Sequence, residues 1–252
     1  LAENGYLPGS QGANAFPLFL DIVPENKKQA AVQSLLRDVR GRGWHITTGN
    51  QTTKYLFEAL DRLGMNDDAY KIMASDTYPS LGYMIKSGAT TIWERWENEI
   101  GSSMNSHNQP MLCACTSWLY KALGGIRLEG HPDGLNTVVI SPAFPEELDC
   151  AQASYLSFKG VISTKWQRIK GEIQLSLSIP WNTSALLILP QGCQPHIKPV
   201  FSGPSGPAPD SSSSFSEHQS IPEREQKGLF PLPGGGIELA SGDYLVSFNE
   251  AR

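Results

Sequence analysis

The sequence has 252 residues, enough for one large domain or two modest ones. Its 20 Lys and Arg against 25 Asp and Glu give a net charge of −5, which argues against a nucleic-acid binder because such proteins need a clustered basic face. Hydrophobic residues make up 40%, too many for a disordered chain. The apolar runs 16–20 and 185–189 fall far short of the roughly 20 residues that span a bilayer, so we expect no membrane partner.

The first half of the chain has the apolar periodicity of helices. We predict a first helical run over Ala13–Val23 and a second helix that begins at Pro24 and ends at Gly41. Thr53–Leu63 carries an apolar stripe, Asn66 is a candidate cap for the next short helix, and Met111–Ala122 has helical spacing. Long Gly-rich loops join these segments, which favours helical hairpins over a βαβ arrangement.

The period changes to alternation after Gly125. Five segments read as strands: Thr137–Ile140, Val161–Ile169, Ile173–Ile179, Ala185–Leu189 and Tyr244–Phe248. Lys170-Gly171 is a candidate hairpin turn between two of them. This half is therefore predicted to be an antiparallel β-sandwich.

We place the domain boundary near residue 130, giving domains 1–130 and 131–252, with a Ser/Pro/Gly-rich and disordered insertion near 202–220. Cys150 and Cys193 both lie in the β-rich half, and free thiols are favoured over a disulfide between them. The chain starts at Leu1 rather than Met, so we expect an upstream part of the same polypeptide as a partner. A secreted or extracytoplasmic location is favoured over a cytoplasmic one.

The segment Gly88–Glu97 concentrates groups that suit sugar chemistry. It contains the indoles of Trp93 and Trp96 and the carboxylates of Glu94 and Glu97 within five residues. Aromatic faces stack on the C–H faces of sugar rings, and carboxylates bind hydroxyls or transfer protons. The alternative is a partly buried Trp pair with solvated charges.

Two further segments are rich in neutral hydrogen-bonding groups. Ser103–Pro110, which contains Asn105 and His107, precedes a helix, and His45–Asn50 precedes another. Amides and imidazoles recognise hydroxyls without the desolvation cost of a charge, although an ordinary polar loop that caps a helix has the same composition. No metal-ligand spacing and no cofactor motif is present, so we expect neither a metal nor a cofactor.

These segments together resemble the α-L-rhamnosidases, glycoside hydrolase family 78. The resemblance is carried by Gly88–Trp96 with the upstream Tyr78–Met84, by His45–Asn50, by Ser103–Met111, and by Ile140-Ser141-Pro142 in the β-rich half. The motifs occur in order over roughly residues 5 to 190. Both halves take part in the resemblance. Because the family's upstream acid stretch and about half of the barrel helices are missing from it, the chain resembles the C-terminal portion of such an enzyme.

The resemblance implies a fold and a reaction. It implies an (α/α)6 barrel followed by a β-sandwich, here a partial barrel, and removal of terminal α-L-rhamnose from glycosides or polysaccharides with inversion. Glu94 would be the general base, His107 would contact the sugar, and Trp93, Trp96, Asn105 and Asn50 would complete substrate binding.

The sequence also departs from the family pattern. The Asp-Glu-Arg stretch that would carry the general acid does not occur in it, and only about half of the helices of a full barrel are present. We therefore expect this chain alone to hydrolyse little or nothing. The alternatives are a non-catalytic sugar-binding remnant and a structural fragment that requires a partner.

Overall fold

In a computed structural model of the chain, the described residues are 9–99, 106–128, 137–200 and 236–250. They belong to two compact units, Leu1–Leu119 and Tyr120–Arg252. The division therefore falls before the boundary predicted near residue 130. The insertion predicted near 202–220 lies outside the described residues.

The described part of the first unit is helical. Its α-helices are α1 (Gln11–Phe19), α2 (Glu25–Gly41), α3 (Thr53–Arg62), α4 (Asn66–Ala74) and α5 (Leu81–Lys86). A 3₁₀ helix follows at Pro110–Thr116, and a π-helical turn at Leu119–Leu123 spans the division between the units. The helical first domain is confirmed, whereas α5 is not among the predicted helices.

The buried positions explain why these segments are helical. On α2, Ala31, Leu35 and Val39 recur every four residues, and all three are fully buried. The next helix, α3, buries Leu56 and Leu60 in the same way. Helix α1 packs against both α2 and α3, so the three helices form one packed group.

Two details of the predicted helices are wrong. Helix α4 begins at Asn66 itself, and the Asn66 side chain does not cap it, because its Oδ1 accepts a hydrogen bond from Trp118 Nε1 at 3.0 Å. The segment predicted as one regular helix from Met111 is instead tightened into a 3₁₀ helix and then widened into a π turn, so that Met111 is exposed while Leu112 is buried.

The second unit contains two β-sheets. The strands are β1 (Ile126–Arg127), β2 (Thr137–Ile140), β3 (Cys150–Ser157), β4 (Gly160–Ile169), β5 (Glu172–Ile179), β6 (Ser184–Leu187), β7 (His196–Val200), β8 (Ile237–Leu239) and β9 (Gly242–Asn249). One sheet has the order β1-β2-β6-β8 and the other β3-β4-β5-β9-β7. All five predicted strand segments are present.

The β4–β5 hairpin shows how the alternation builds this unit. Lys170 and Gly171 have φ angles of 53° and 85°, the two positive values that a type I′ turn requires, so the predicted turn is confirmed. Trp166 on β4 and Leu175 on β5 are paired across the strands and fully buried. They belong to one core cluster to which both sheets contribute, for example through Ile140.

The sheets are not uniformly antiparallel. The five-stranded sheet is antiparallel throughout, but β2 pairs in parallel with β6 in the four-stranded sheet. The crossover between β2 and β6 contains the β3–β4–β5 meander, so the parallel pair satisfies the usual need for a long connection.

Two further findings bear on the sequence predictions. All four cysteines are free thiols, including Cys150 and Cys193. Within the described ranges, no helix has both the length and the apolar character needed to cross a membrane.

Candidate active site

Glu94 is fixed by a pair of hydrogen bonds to Ser106. The Glu94 backbone N–H donates to the Ser106 carbonyl at 2.8 Å, and the Ser106 N–H donates to Glu94 Oε2 at 2.9 Å. A third bond, from Gln109 N–H to the Ile92 carbonyl at 2.8 Å, extends the same ladder. The two polar segments singled out in the sequence therefore lie side by side, and the Glu94 carboxylate, which is half-buried, is held at their junction.

The second contact between these segments is a stacked ring pair. The indole of Trp93 and the imidazole of His107 lie with ring centroids 4.7 Å apart and planes inclined by 21°. Thr91 Oγ1 donates to the His107 carbonyl, and His107 Nε2 lies 3.2 Å from the Glu99 carbonyl. His107 is thus held on one ring face and at one ring nitrogen.

Trp93 and Trp96 play different structural parts. Trp93 is only 3% exposed and packs with Met84 and Leu112 in a small core cluster. Trp96 is half-buried at the edge of that cluster, and its Nε1 donates to the Thr48 carbonyl at 2.8 Å. The Trp93 ring is therefore a core element beneath His107, whereas Trp96 is fastened to the loop before α3.

That loop carries the Asn50 side chain. Asn50 Oδ1 is buried and has no hydrogen-bond partner among the described residues. A buried carbonyl oxygen without a donor is costly in a finished protein, and such atoms are found at sites where a donor arrives from water or a ligand. Through Thr48, the structure brings the Asn50 loop to Trp96, while Asn105 lies outside the described residues.

Glu97, the second carboxylate of the segment, is engaged by its neighbours. Arg95 Nε lies 3.3 Å from Glu97 Oε2, and Arg95 Nη2 donates to Oε1 at 3.4 Å. Partial burial raises the pKa of the Tyr78 phenol, and the charge of Glu97 and a hydrogen bond to it raise this pKa further. Both carboxylate oxygens of Glu97 therefore have the Arg95 guanidinium as a neighbour, and the sequence spacing did not reveal the contact with Tyr78.

The loop before α3 is itself held by buried amide and carboxylate groups. Gln11 is fully buried, and its side chain donates to the His45 carbonyl and accepts from the Thr47 N–H, each at 2.9 Å. Behind it, Asp68 accepts from Arg40 Nε and Nη2 at 3.0 and 2.7 Å and from Trp44 Nε1 at 2.8 Å. These bonds connect α1, α2 and α4 to the base of the loop.

Sequence reasoning missed two residues of this arrangement, Ser106 and Tyr78. Both lie inside the segments Ser103–Pro110 and Tyr78–Met84, but the sequence does not indicate that Ser106 bonds to Glu94 or that Tyr78 contacts Glu97. Over the described residues, no cluster of three or more His, Cys, Asp or Glu side chains could hold a metal ion.

Comparison with known proteins identifies the family of the chain. The profile of the bacterial α-L-rhamnosidase six-hairpin glycosidase domain matches residues 2–123, and that of the bacterial α-L-rhamnosidase C-terminal domain matches residues 125–201. An α-L-rhamnosidase from Streptomyces avermitilis is 34% identical over 197 residues, covering 75% of this chain and 19% of the relative. One from Formosa agariphila is 33% identical over 245 residues, covering 96% of this chain and 24% of the relative.

Solved structures give the same result. The α-L-rhamnosidase from Dictyoglumus thermophilum superposes with a TM-score of 0.79 at 31% identity, covering 99% of this chain and 27% of that one. The Streptomyces avermitilis enzyme complexed with L-rhamnose superposes with a TM-score of 0.75 at 26% identity, covering 98% and 22%. This chain thus spans about a fifth to a quarter of the length of these relatives. Two consecutive rhamnosidase domains match it in order, and the chain belongs to the α-L-rhamnosidase family of glycoside hydrolases, corresponding to the C-terminal portion of its members.

Proposed function

We propose that this chain supplies the general-base side of an inverting α-L-rhamnosidase that removes terminal α-L-rhamnose from glycosides or polysaccharides. The observation that carries the proposal is the Glu94–Ser106 hydrogen-bond pair beside the Trp93–His107 stack, in a chain of this family. The activity belongs to a polypeptide that includes further residues, because the match covers only 19% and 24% of the two relatives' length.

Glu94 is suited to the role of base. The Ser106 N–H holds Oε2, and Oε1 has no partner among the described residues, so one carboxylate oxygen is free to accept a proton from water. The half-buried position keeps the group in contact with solvent while the backbone bond fixes its direction. A general base needs this combination of fixed geometry and access to the attacking water.

His107 and Asn50 supply hydrogen-bonding groups for the sugar. The stack on Trp93 and the bond to the Glu99 carbonyl leave His107 Nδ1 available for a hydroxyl. The unpartnered Asn50 Oδ1 accepts a hydroxyl proton in the same scheme. Trp96 borders the rhamnose, and Trp93 acts through His107. Asn105 is retained as a substrate contact on the family resemblance alone.

Glu97 does not serve as the general acid in this scheme. Its oxygens are engaged with Arg95, and an inverting pair requires carboxyl groups roughly 6.5–9.5 Å apart with a water between them. A carboxylate outside this chain is the acid, and the helices α1–α5 form part of an (α/α)6 barrel that the remaining polypeptide completes. This is why we expect the chain alone to be inactive.

The test is release of p-nitrophenol from p-nitrophenyl α-L-rhamnoside by this chain alone and by a polypeptide extended upstream to the length of the relatives. We expect no release by the chain alone and turnover by the extended polypeptide. In the latter, Glu94→Gln should lower kcat by about a hundredfold or more, since removal of a general base typically costs that much. The first product, observed by proton NMR, should be the β-anomer.

Two variants serve as comparisons. Glu25→Gln changes an exposed carboxylate on α2 and should leave kcat unchanged. Glu97→Gln should cost far less than Glu94→Gln. Full activity of Glu94→Gln would refute the assignment of the base, and an α-anomeric first product would refute inversion. If the extended polypeptide binds rhamnose without hydrolysis, the sugar-binding remnant is the correct function.

A further inference from the structure

Large apolar side chains are exposed at one end of the five-stranded sheet. Phe158, in the β3–β4 turn, is 81% exposed, and Trp181, in the β5–β6 turn, is 84% exposed. Leu156 and Val161, which are paired across β3 and β4, are exposed beside them. Neither aromatic ring has a stacking partner within the described part of the chain. We call these four side chains the aromatic rim.

The two turns that carry the rim are fastened to each other. Lys159 Nζ donates to the Asn182 carbonyl at 2.7 Å, which joins the two turns, and Ser157 Oγ donates to the Gly160 carbonyl at 2.8 Å within the β3–β4 turn. A Cβ at Gly160 would lie only 2.9 Å from Pro180 Cβ, so the backbones of the turns are in close contact. The rim is therefore a fixed surface rather than two independent loops.

Next to the rim, the outer face of the sheet presents a row of hydroxyl groups. Ser154 on β3 lies opposite Ser163 on β4, which lies opposite Ser178 on β5. These serines alternate with inward residues such as Ile162 and Leu177, both buried in the core, so their side chains are on the outer face. Among the described residues, none of the three hydroxyls has a side-chain hydrogen bond.

This combination favours one class of ligand. An exposed apolar rim beside neutral hydroxyls matches a molecule with apolar faces and a hydroxylated edge. A protein interface core is typically depleted in serine. Membrane binding draws on a basic face, but the lysines beside this surface are Lys165 in the neighbouring row and Lys159, whose ammonium donates to the Asn182 carbonyl. A neutral sugar chain satisfies both parts of the surface.

We propose that the aromatic rim and the serine row form an accessory binding surface for a neutral polysaccharide, separate from the candidate active site. The choice of a rhamnose-containing polymer as the ligand rests on the proposed function. The surface would hold the polymer on the second unit by stacking on Trp181 and Phe158 and by hydrogen bonds to Ser163 and its neighbours.

The experiment is native gel electrophoresis of the 252-residue chain through gels that contain a neutral rhamnan, with a neutral glucan as the comparison polymer. We expect retardation that increases with rhamnan concentration. Trp181→Ala should weaken the apparent affinity by about tenfold, the value of one lost stacked ring. Ser163→Ala should weaken it by a smaller factor. Ile85→Ala, which removes a similarly exposed apolar side chain from α5, should bind as the wild type does.

The outcomes separate this surface from the candidate active site. Glu94→Gln and Trp96→Ala test the alternative that the polymer is held at the candidate active site. If these variants lose retardation while Trp181→Ala retains it, the polymer binds at the candidate active site, and the accessory surface is refuted while the proposed function stands. Absence of retardation of the wild-type chain would also overturn the proposal. So would a Trp181→Ala variant that is retarded like the wild type but differs from it in oligomeric state by sedimentation, since the rim would then bind a second protein chain. Equal retardation by glucan and rhamnan supports the surface but makes it general for neutral sugars.

Discussion

Replacing Asp68 with asparagine removes the charge that joins α2 to α4 behind the loop before α3. The Asp68 side chain is 7% exposed, whereas its partner Arg40 is 53% exposed. The substituted side chain would keep one acceptor oxygen but would place an amide donor against the guanidinium or the Trp44 indole, both of which are donors. The substitution therefore loses the ion pair and leaves unsatisfied donors in a nearly buried position.

The magnitude follows from these contacts. A hydrogen bond to a charged group contributes about 1.5–3 kcal/mol, but the half-exposed Arg40 is screened by water, which reduces its share to the surface range of about 1 kcal/mol or less. The mismatched donor adds about 1 kcal/mol. We expect Asp68→Asn to lower the free energy of unfolding by about 2 kcal/mol, measured by urea titration with tryptophan fluorescence.

A pH series gives an independent check of the same reasoning. Burial raises the pKa of Asp68, but hydrogen bonds from Arg40 and Trp44 outweigh burial and hold the pKa below its usual value of 3.8. Because the folded pKa is depressed, the contribution to stability is present above the unfolded pKa and is lost as the pH falls through the folded pKa. The gap between wild type and Asp68→Asn should be constant from pH 7 to 5 and shrink below about pH 4.

The neighbouring Asp67→Asn is the matched control, since Asp67 lies on the exposed side of the same helical turn. It should lower the free energy of unfolding by no more than about 1 kcal/mol, the usual contribution of an exposed carboxylate in the first turn of a helix. An Asp68→Asn variant as stable as the wild type, or equal losses in both variants, would refute the argument that the Arg40–Asp68–Trp44 contact holds the loop.

Two more predictions concern other parts of the chain. Gly125 has a φ of 72°, and a Cβ there would overlap Pro142, so Gly125→Ala should destabilise the second unit by more than about 2 kcal/mol in urea titrations. Gly64 has a similar φ of 70° but open space around it, so Gly64→Ala should cost only about 1 kcal/mol. Equal costs for the two variants would contradict the overlap with Pro142. Burial raises the pKa of the Cys115 thiol to about 12, so mass spectrometry after iodoacetamide treatment at about pH 8 should show Cys150, which is exposed, alkylated and Cys115 unmodified until the chain is unfolded. Modification of both thiols at equal rates would show that Cys115 is not buried.

The helices and strands that sequence patterns predicted are those with one clear face. Ala31, Leu35 and Val39 recur every four residues along one face of a helix, β5 alternates strictly, and β4 alternates through its centre. Helix α5 was missed because its six residues make fewer than two turns, too few for an apolar pattern to repeat, although Ser80 caps it by accepting from the Tyr83 N–H at 2.9 Å. Strand β3 was missed because the side chains that it packs against the core include the small Ala151 and Ala153, which give only a weak hydrophobic alternation.

The site was predicted as a set of segments rather than as a geometry. Glu94 and His107 were chosen because of their chemistry and family resemblance, but the bonds that bring them together run through the backbone of Ser106, which no side-chain pattern encodes. Likewise, the sequence cannot distinguish an indole that faces a sugar from one that fills a core. Trp93 and Trp96 look equivalent in the sequence, yet only Trp93 is fully enclosed.

The position of β9 has a consequence for how the second unit is made. This strand lies in the middle of the five-stranded sheet, hydrogen-bonded to β5 on one side and to β7 on the other, although both precede it in the chain. During synthesis, the edges of β5 and β7 that pair with β9 therefore remain unpaired until residues 242–249 have left the ribosome. The meander β3–β4–β5 can form earlier from local contacts, and the addition of β9 then completes the sheet. A premature stop before Gly242 therefore releases a chain with two open strand edges, and such edges are prone to aggregate.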